Sequence, residues 1–269
     1  MIIDLKNRKI VKVEGTDKYS FLQGLITNDI NKVDKAPIYT AFLSAQGKFL
    51  FDFFICRINE TFYLTPEKNG IENFIKKLKI YKLRSDVQIE LLESWSMYAD
   101  LFMEQTPTNP QENHISFLDP RDKRMGSIIL SPEKINSTGT MEGYDVKRIS
   151  LCIPDGSRDM PIDKAIILEN RLDELQAIDW DKGCYLGQEL MARTKHRGLI
   201  RKTLMVLEFD ELPAKAGETL FLEGVKAGRM RTSCQEKGLA LMRIETANKS
   251  KSENKELVSD SGKRARIIS

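Results

Sequence analysis

Beyond Gly198 the chain has no room for long elements. "TLMVLEF", "TLFLEG", "AGRMRTS" and "GLALMRI" follow one another at close spacing, each short, rich in apolar residues and bounded by glycines or polar turns. Such runs read as strands, and short strands in quick succession bury a common face by curling into a small barrel or packing as a sandwich. A boundary therefore falls near residue 200, dividing the chain into a region 1–200 and a small β domain 201–269. Within the latter, the polar stretch from Glu245 to Arg266 reads as a mobile tail, with "ARIIS" as a candidate last strand.

Upstream, strands mix with helices, which makes the class α+β. "KIVKVEG" is a short β-branched strand, and Thr16 is placed to cap a helix whose apolar face holds Phe21, Leu22, Leu25 and Ile26. "IYTAFLS" and "FLFDFFICRI" read as a hairpin turned by "AQGK". "TFYLT" runs into Pro66, which suits the first turn of a helix capped by Thr65. In that helix Ile71, Phe74, Ile75 and Leu78 form one buried stripe. Four more strand-like segments lie between Val87 and Leu130, and the polar "EQTPTNPQEN" among them reads as a surface loop.

Composition narrows the function classes. With 41% hydrophobic and 30% charged residues the chain is an ordinary globular one, and 42 basic against 39 acidic residues leave a net charge of +3. That balance does not announce a nucleic-acid binder, although a local basic patch can still attract anions. Cys56, Cys152, Cys184 and Cys234 are far apart and have only His114 and His196 to supplement them, which argues against structural zinc. The N-terminus does not resemble a signal peptide, and no apolar run approaches the roughly 20 residues that span a bilayer. The expectation is a cytoplasmic protein with reduced thiols.

Three features carry chemistry. "DKGCYLGQE", Asp181 to Glu189, leads into the helical "QELMARTKH", so Cys184 is expected near a helix N-terminus between two glycines, Gly183 and Gly187. Lys182 beside it would favour a thiolate. A reactive thiol and a buried small hydrophobe are both consistent with that setting. The basic knot Arg193, Lys195, Arg197, Arg201 and Lys202 is either a solvated helix end or an anion site. Asp52 and Glu169 stand among apolar neighbours, where a carboxylate must pair, hydrogen-bond or take up a proton. In an alternating strand Asp52 shares a face with Leu50 and Phe54, facing a cleft or an exposed edge.

"KGCYLGQE", with "LDELQAIDWD" before it and "ARTKHRGLIRK" after it, closely resembles the signature of the YgfZ/GcvT-like folate-binding proteins. These are relatives of the glycine cleavage T-protein that act in iron–sulfur cluster maintenance. "FLQGLITNDI", "YTAFLSAQGKFLFDFFI", "IPDGSRDMPIDKAIILEN" and "KGLALMRIE" resemble further family segments, so the likeness covers most of residues 5 to 245. It implies a bipartite region with ferredoxin-like halves followed by a small β-barrel, and a tetrahydrofolate pocket.

By the resemblance Cys184 is the functional cysteine and Glu169 the carboxylate on the pterin ring. The other expected folate contacts are Asp52, Lys182, Gly183, Tyr185, Gly187, Gln188 and Glu189, with Arg193, Lys195 and Arg197 toward the glutamate tail. One departure bears on activity: after "QGK" Phe51 replaces the first of two aspartates found in T-proteins, and Asp52 keeps the second. The implied function is a folate-binding factor, expected to be a monomer, that serves iron–sulfur enzymes as clients, including tRNA-modifying ones. It would touch neither membrane nor nucleic acid directly. The alternative is a folate-dependent aminomethyltransferase.

Overall fold

The computed structural model describes residues 1–103, 114–196, 198 and 200–268. The "EQTPTNPQEN" segment and Arg197 lie outside the described residues. The chain divides into two compact units, Met1–Met141 with Asp173–Gln188, and Glu142–Leu172 with Glu189–Ser269. No helix among the described residues is long and apolar enough to cross a membrane.

In the first unit, β1 (Ile2–Asp4) enters a four-stranded sheet. β2 (Val11–Glu14), β3 (Ile38–Leu43), β4 (Phe49–Ile58), β5 (Thr61–Leu64) and β6 (Gln88–Leu91) make a five-stranded antiparallel sheet in the order β3-β4-β5-β2-β6. β7 (Ser96–Asp100), β8 (Ile115–Leu118) and β9 (Ser127–Ser131) complete the four-stranded sheet, ordered β1-β7-β9-β8. Two helices belong here, α1 (Lys18–Gln23) and α2 (Ile71–Lys82).

The strand β4 is buried on both faces, which explains its nearly continuous apolar run. Phe51 and Phe53 present ring edges to Phe74 of α2, each at 5.1 Å between centroids. On the opposite face Phe54 meets Phe117 of β8 at 6.1 Å. Burying such a side chain contributes roughly 1.5–3 kcal/mol, so this aromatic layer is the centre of the unit.

Two helix starts differ from expectation. Thr65 and Pro66 do not open α2, because Thr65 Oγ1 accepts the Phe54 N–H at 3.1 Å and Pro66 O accepts the Lys9 N–H at 3.0 Å. The segment extends β5 between its two neighbours, and the helix begins after Gly70, whose φ of 91° is one that glycine adopts without strain. Thr16 likewise bonds Asp86 instead of capping α1, whose N-cap is Asp17.

The second unit holds α3 (Met141–Ser150), the short α4 (Gly156–Asp159), a 3-10 turn at Ile167–Asn170 and α5 (Gln188–His196). Its centre is a closed antiparallel barrel of β10 (Lys202–Phe209), β11 (Thr219–Leu222), β12 (Val225–Cys234), β13 (Lys237–Arg243), β14 (Leu257–Ser259) and β15 (Arg264–Ile267). Met205, Leu207, Leu220, Met230 and Met242 fill its interior. The polar C-terminal stretch is not a loose tail: α6 (Ile244–Ser252) packs on the barrel, and β14 and β15 close it through Leu207 opposite Ile267. Polarity misled because strands this short bury only alternate residues, such as Leu257 and Ala265.

Outside the barrel, Ile149 and Cys152 of the α3 region cover Leu204, Val206 and Leu239. Beside them the fully buried Arg148 pairs with Asp145 at 2.5 Å and Asp159 at 2.8 Å, and donates to Thr232 Oγ1 at 2.7 Å. Arg158 joins the same network through Asp145 and Asp155. The "PDGSRD" segment thus spends its charges on fastening α3 and α4 to β12.

Candidate functional site

The site grows from the way Thr27–Asn28–Asp29, just after α1, meets Ala177–Lys182. Thr27 Oγ1 donates to Ala177 O at 2.7 Å, and Asn28 Nδ2 bridges Tyr39 O and Gln176 O at 2.8 Å each. Asp179 then shapes the next turn, its Oδ1 accepting the N–H groups of Asp181 and Lys182 at 2.8 and 3.0 Å. Burial works against the Asp179 carboxylate, yet Lys32 at 2.7 Å and these N–H groups hold it below the usual range.

That turn aims Lys182 inward. Its Nζ donates to Gln23 O at 2.8 Å, Ile26 O at 2.7 Å and Asn28 O at 2.8 Å, which uses all three ammonium hydrogens. The Tyr185 ring lies 5.0 Å from the same nitrogen. Burial pushes the amine down to about 8, against the pull of Asp29 and Asp179. The expectation that Lys182 supports a Cys184 thiolate, or reaches a cofactor, is therefore corrected: its charge is committed to backbone carbonyls.

The rest of the motif is also largely consumed by the fold. Gly187 has φ 83°, and a Cβ there would stand 2.5 Å from Ser44 O and 3.0 Å from Gly47 Cα in the β3–β4 turn. Leu186 N–H bonds Gly24 O, and Gln188 Oε1 accepts the Tyr185 N–H at 3.3 Å. So Gly187 and Gln188 hold the loop. Gly183 differs, since a Cβ on it would meet nothing within 4 Å.

What this scaffold presents is Cys184. It is exposed, and no hydrogen bond or ion pair reaches its sulfur among the described residues. It precedes the first residue of α5 by four positions, so it is not at the helix N-terminus as the sequence suggested. Tyr185 is buried, its hydroxyl finds no partner among the described residues, and burial raises its pKa to about 12.

Asp52 requires a second correction. It is fully buried, facing neither a cleft nor an edge. Arg8 Nη2 lies 3.1 Å from its Oδ2, Tyr39 OH donates to the same oxygen at 2.8 Å, and Arg8 Nη1 reaches Oδ1 at 3.5 Å. Arg121, paired with Asp119 at 2.6 Å, stacks 4.8 Å from the Phe54 ring beside it. The carboxylate is sealed into the packing and offers nothing to a ligand.

The remaining expected residues lie in the second unit. Glu169, on the 3-10 turn, is half-buried. Glu189 and Arg193 are exposed and pair with each other at 2.8 Å, an i, i+4 contact on α5, so part of the basic knot is a solvated helix face. Lys195 is on the same helix and also has a partner. The sequence reading missed Gln23, Asp29, Lys32 and Asp179, although the D-x-D-K spacing of Asp179 to Lys182 is itself a turn signal.

Residues 201–266 match the family model of the CAF17 C-terminal beta-barrel domain. The solved structure of the glycine cleavage system aminomethyltransferase T from Bartonella henselae superposes with a TM-score of 0.73 at 15% identity, covering 99% of this chain and 84% of that one. This shows the fold. Among curated proteins, iron–sulfur cluster assembly factor IBA57 of Mus musculus is 31% identical over 276 residues, covering 90% of this chain and 77% of the mouse protein. Homologues of that factor in Pyricularia oryzae and Neurospora crassa are 31% and 32% identical, and the chain spans 55% of the length of each. All three relatives are mitochondrial by name, which overturns the cytoplasmic expectation and points to the mitochondrion. They carry the IBA57 name, not the YgfZ name the motif suggested. Its identity to the mouse protein over most of both lengths places the chain in the IBA57 family of iron–sulfur cluster assembly factors.

Proposed function

We propose that the protein acts in iron–sulfur cluster assembly through the thiol of Cys184, with a reduced folate as its bound ligand. The observation that carries this reading is the division of labour in "KGCYLGQE". Lys182, Gly187 and Gln188 are spent on holding the loop, while Cys184 stands exposed and unengaged. A fold that fixes a loop this firmly and leaves its thiol outward supports a role in ligating iron or taking up sulfur, which thiolates do well. The relatives' names support the same reading, and iron–sulfur enzymes, tRNA-modifying ones included, are its proposed clients.

Aminomethyl transfer is less well supported. The acid pair expected of a T-protein is reduced to Asp52, which is sealed against Arg8, while Phe51 packs on Phe74. Folate would rest on Glu169.

The test is complementation of a strain lacking the protein, with iron–sulfur enzyme activity as the readout. Cys184→Ser should fold normally and fail to restore activity, and Cys234→Ser should restore it. Full restoration by Cys184→Ser overturns the assignment. Calorimetric titration with tetrahydrofolate tests the ligand separately. Glu169→Ala should weaken binding by about 1.5–3 kcal/mol, the worth of a charged hydrogen bond, and unchanged affinity removes Glu169 from the site.

A further inference from the structure

The outer face of the barrel changes character along three neighbouring strands. On β10 and β13 the outward residues Leu204, Val206 and Leu239 are apolar and lie under Ile149 and Cys152. Beyond them the same face turns basic, with Lys202, two positions before Leu204 on β10, directly opposite Arg243, four positions after Leu239 on β13. Arg229 on β12 is opposite Leu241, one outward step from Arg243. Like charges facing each other across a strand pair cost stability, so a fold that keeps them has a use for them or a counter-charge to supply.

These strands border a cavity of about 310 Å³. Among the described residues, five of the eight that line it are cations, Lys202, Lys226, Arg229, Arg231 and Arg243, and none is an acid. None of the five makes an ion pair among the described residues. Arg231 is the most telling of them. Burial holds its guanidinium below the ordinary value, Asp159 and Glu169 pull the other way, and Arg229 adds to the depression. Its Nε is buried and has no acceptor among the described residues. Asp159 does not satisfy it, because that carboxylate is already taken by Arg148 and Thr232. A half-buried guanidinium with an unused N–H is a costly arrangement in the absence of an anion. The adjoining hollow adds Arg201 and, among the described residues, one acid, Glu245.

We propose that this face of the barrel binds a small phosphate-bearing polyanion, of the size and charge of a di- or triphosphate, with Arg231 and Arg229 as its principal ligands. A single carboxylate would balance one of the five cations, whereas a chain of phosphates carries several charges and presents paired oxygens to the guanidinium fork.

The experiment is isothermal titration of the full chain with pyrophosphate and inorganic triphosphate, alongside acetate and a short single-stranded RNA, at low and physiological salt. Pyrophosphate and triphosphate should bind saturably and acetate should not, with affinity falling as salt rises. Arg231→Gln should weaken binding at least about tenfold, with folding verified by circular dichroism. Lys249→Gln, on α6 and paired with Glu223, should leave binding unchanged. If Arg231→Gln does not fold, Lys226→Gln at an exposed position takes its place and should weaken binding about threefold. Absence of saturable pyrophosphate binding, binding indifferent to the substitutions, or binding of RNA alone would each overturn the proposal.

Discussion

The ammonium of Lys182 lies 2.7 Å from the carbonyl oxygen of Ile26, a residue 156 positions earlier in the chain. With Gln23 O and Asn28 O it completes a three-point socket, and this socket sets where Cys184 can stand. A charge placed here acts as a fastener, and its removal should be felt throughout the loop.

Replacement of Lys182 by Met leaves three carbonyls without a donor, two of them buried and that of Gln23 partly so. At about 1–3 kcal/mol for a buried polar group left unpaired, offset by the relief of a buried charge, Lys182→Met should destabilise the protein by about 2–4 kcal/mol. Denaturant unfolding at neutral pH measures this, and an unchanged midpoint would contradict the socket. Lys182→Arg should not rescue, because a planar guanidinium cannot place three hydrogens where a tetrahedral ammonium does.

The same residue has a pH signature. Its folded pKa of about 8 lies below the 10.5 of an ordinary lysine. Between those values the folded protein releases a proton that the unfolded chain retains, so stability rises with pH across that window. Below it both states are protonated and the contribution is constant. Wild type should therefore gain on Lys182→Met as pH is raised from 8 to 10, read as a widening gap in unfolding midpoints. A gap that narrows would refute the sign.

The two glycines of the motif should separate cleanly. Gly187→Ala places a Cβ in a left-handed conformation 2.5 Å from Ser44 O and should cost about 1–3 kcal/mol or more. Gly183→Ala meets open space and should stay within about 0.5 kcal/mol of wild type. Thermal unfolding of the pair distinguishes them, and equal losses would mean the loop is held differently.

Thiol accessibility gives a fourth check. A thiol-modifying reagent applied to the native protein should label Cys184 first and Cys234 more slowly, with Cys56 and Cys152 protected until denaturant is added. Burial pushes the Cys56 thiol well above its ordinary pKa, which slows it further. Mass spectrometry of labelled peptides reads the order, and early labelling of Cys56 would contradict the packing of β4.

Arg8 and Asp52 supply the last prediction. Arg8→Met strands a buried carboxylate and should cost about 3–5 kcal/mol, whereas the double replacement Arg8→Met with Asp52→Leu should recover part of the loss. A double-mutant cycle by chemical denaturation measures the coupling, and additive losses would show that the two residues act separately.

Much of this was visible in the sequence, because it rests on local pattern. The apolar run after the "AQGK" turn located β4, the period-3.6 spacing located the buried Phe74 and Leu78 of α2, and the glycine-punctuated strands announced the barrel. What escaped depends on partners distant in the chain. Nothing local to Asp52 reveals that Arg8, 44 residues earlier, will seal it. Lys182 and Cys184 looked like neighbours acting together, but adjacent side chains in a turn can point apart, and these do. The tail from Glu245 looked mobile since two strands of three and four residues carry too few apolar positions for a pattern to register.

Those two short strands have a consequence for how the molecule comes into being on the ribosome. β15 hydrogen-bonds to β10, the first strand of the barrel, so the sheet stays open along both edges until Ile267 has been synthesised. Throughout that interval Leu207 and Phe209 lack their cover, and β10 offers an unpaired edge to any passing strand. Folding of the barrel is thus timed by β15, and a nascent chain halted just short of that strand would be a substrate for chaperones or proteases.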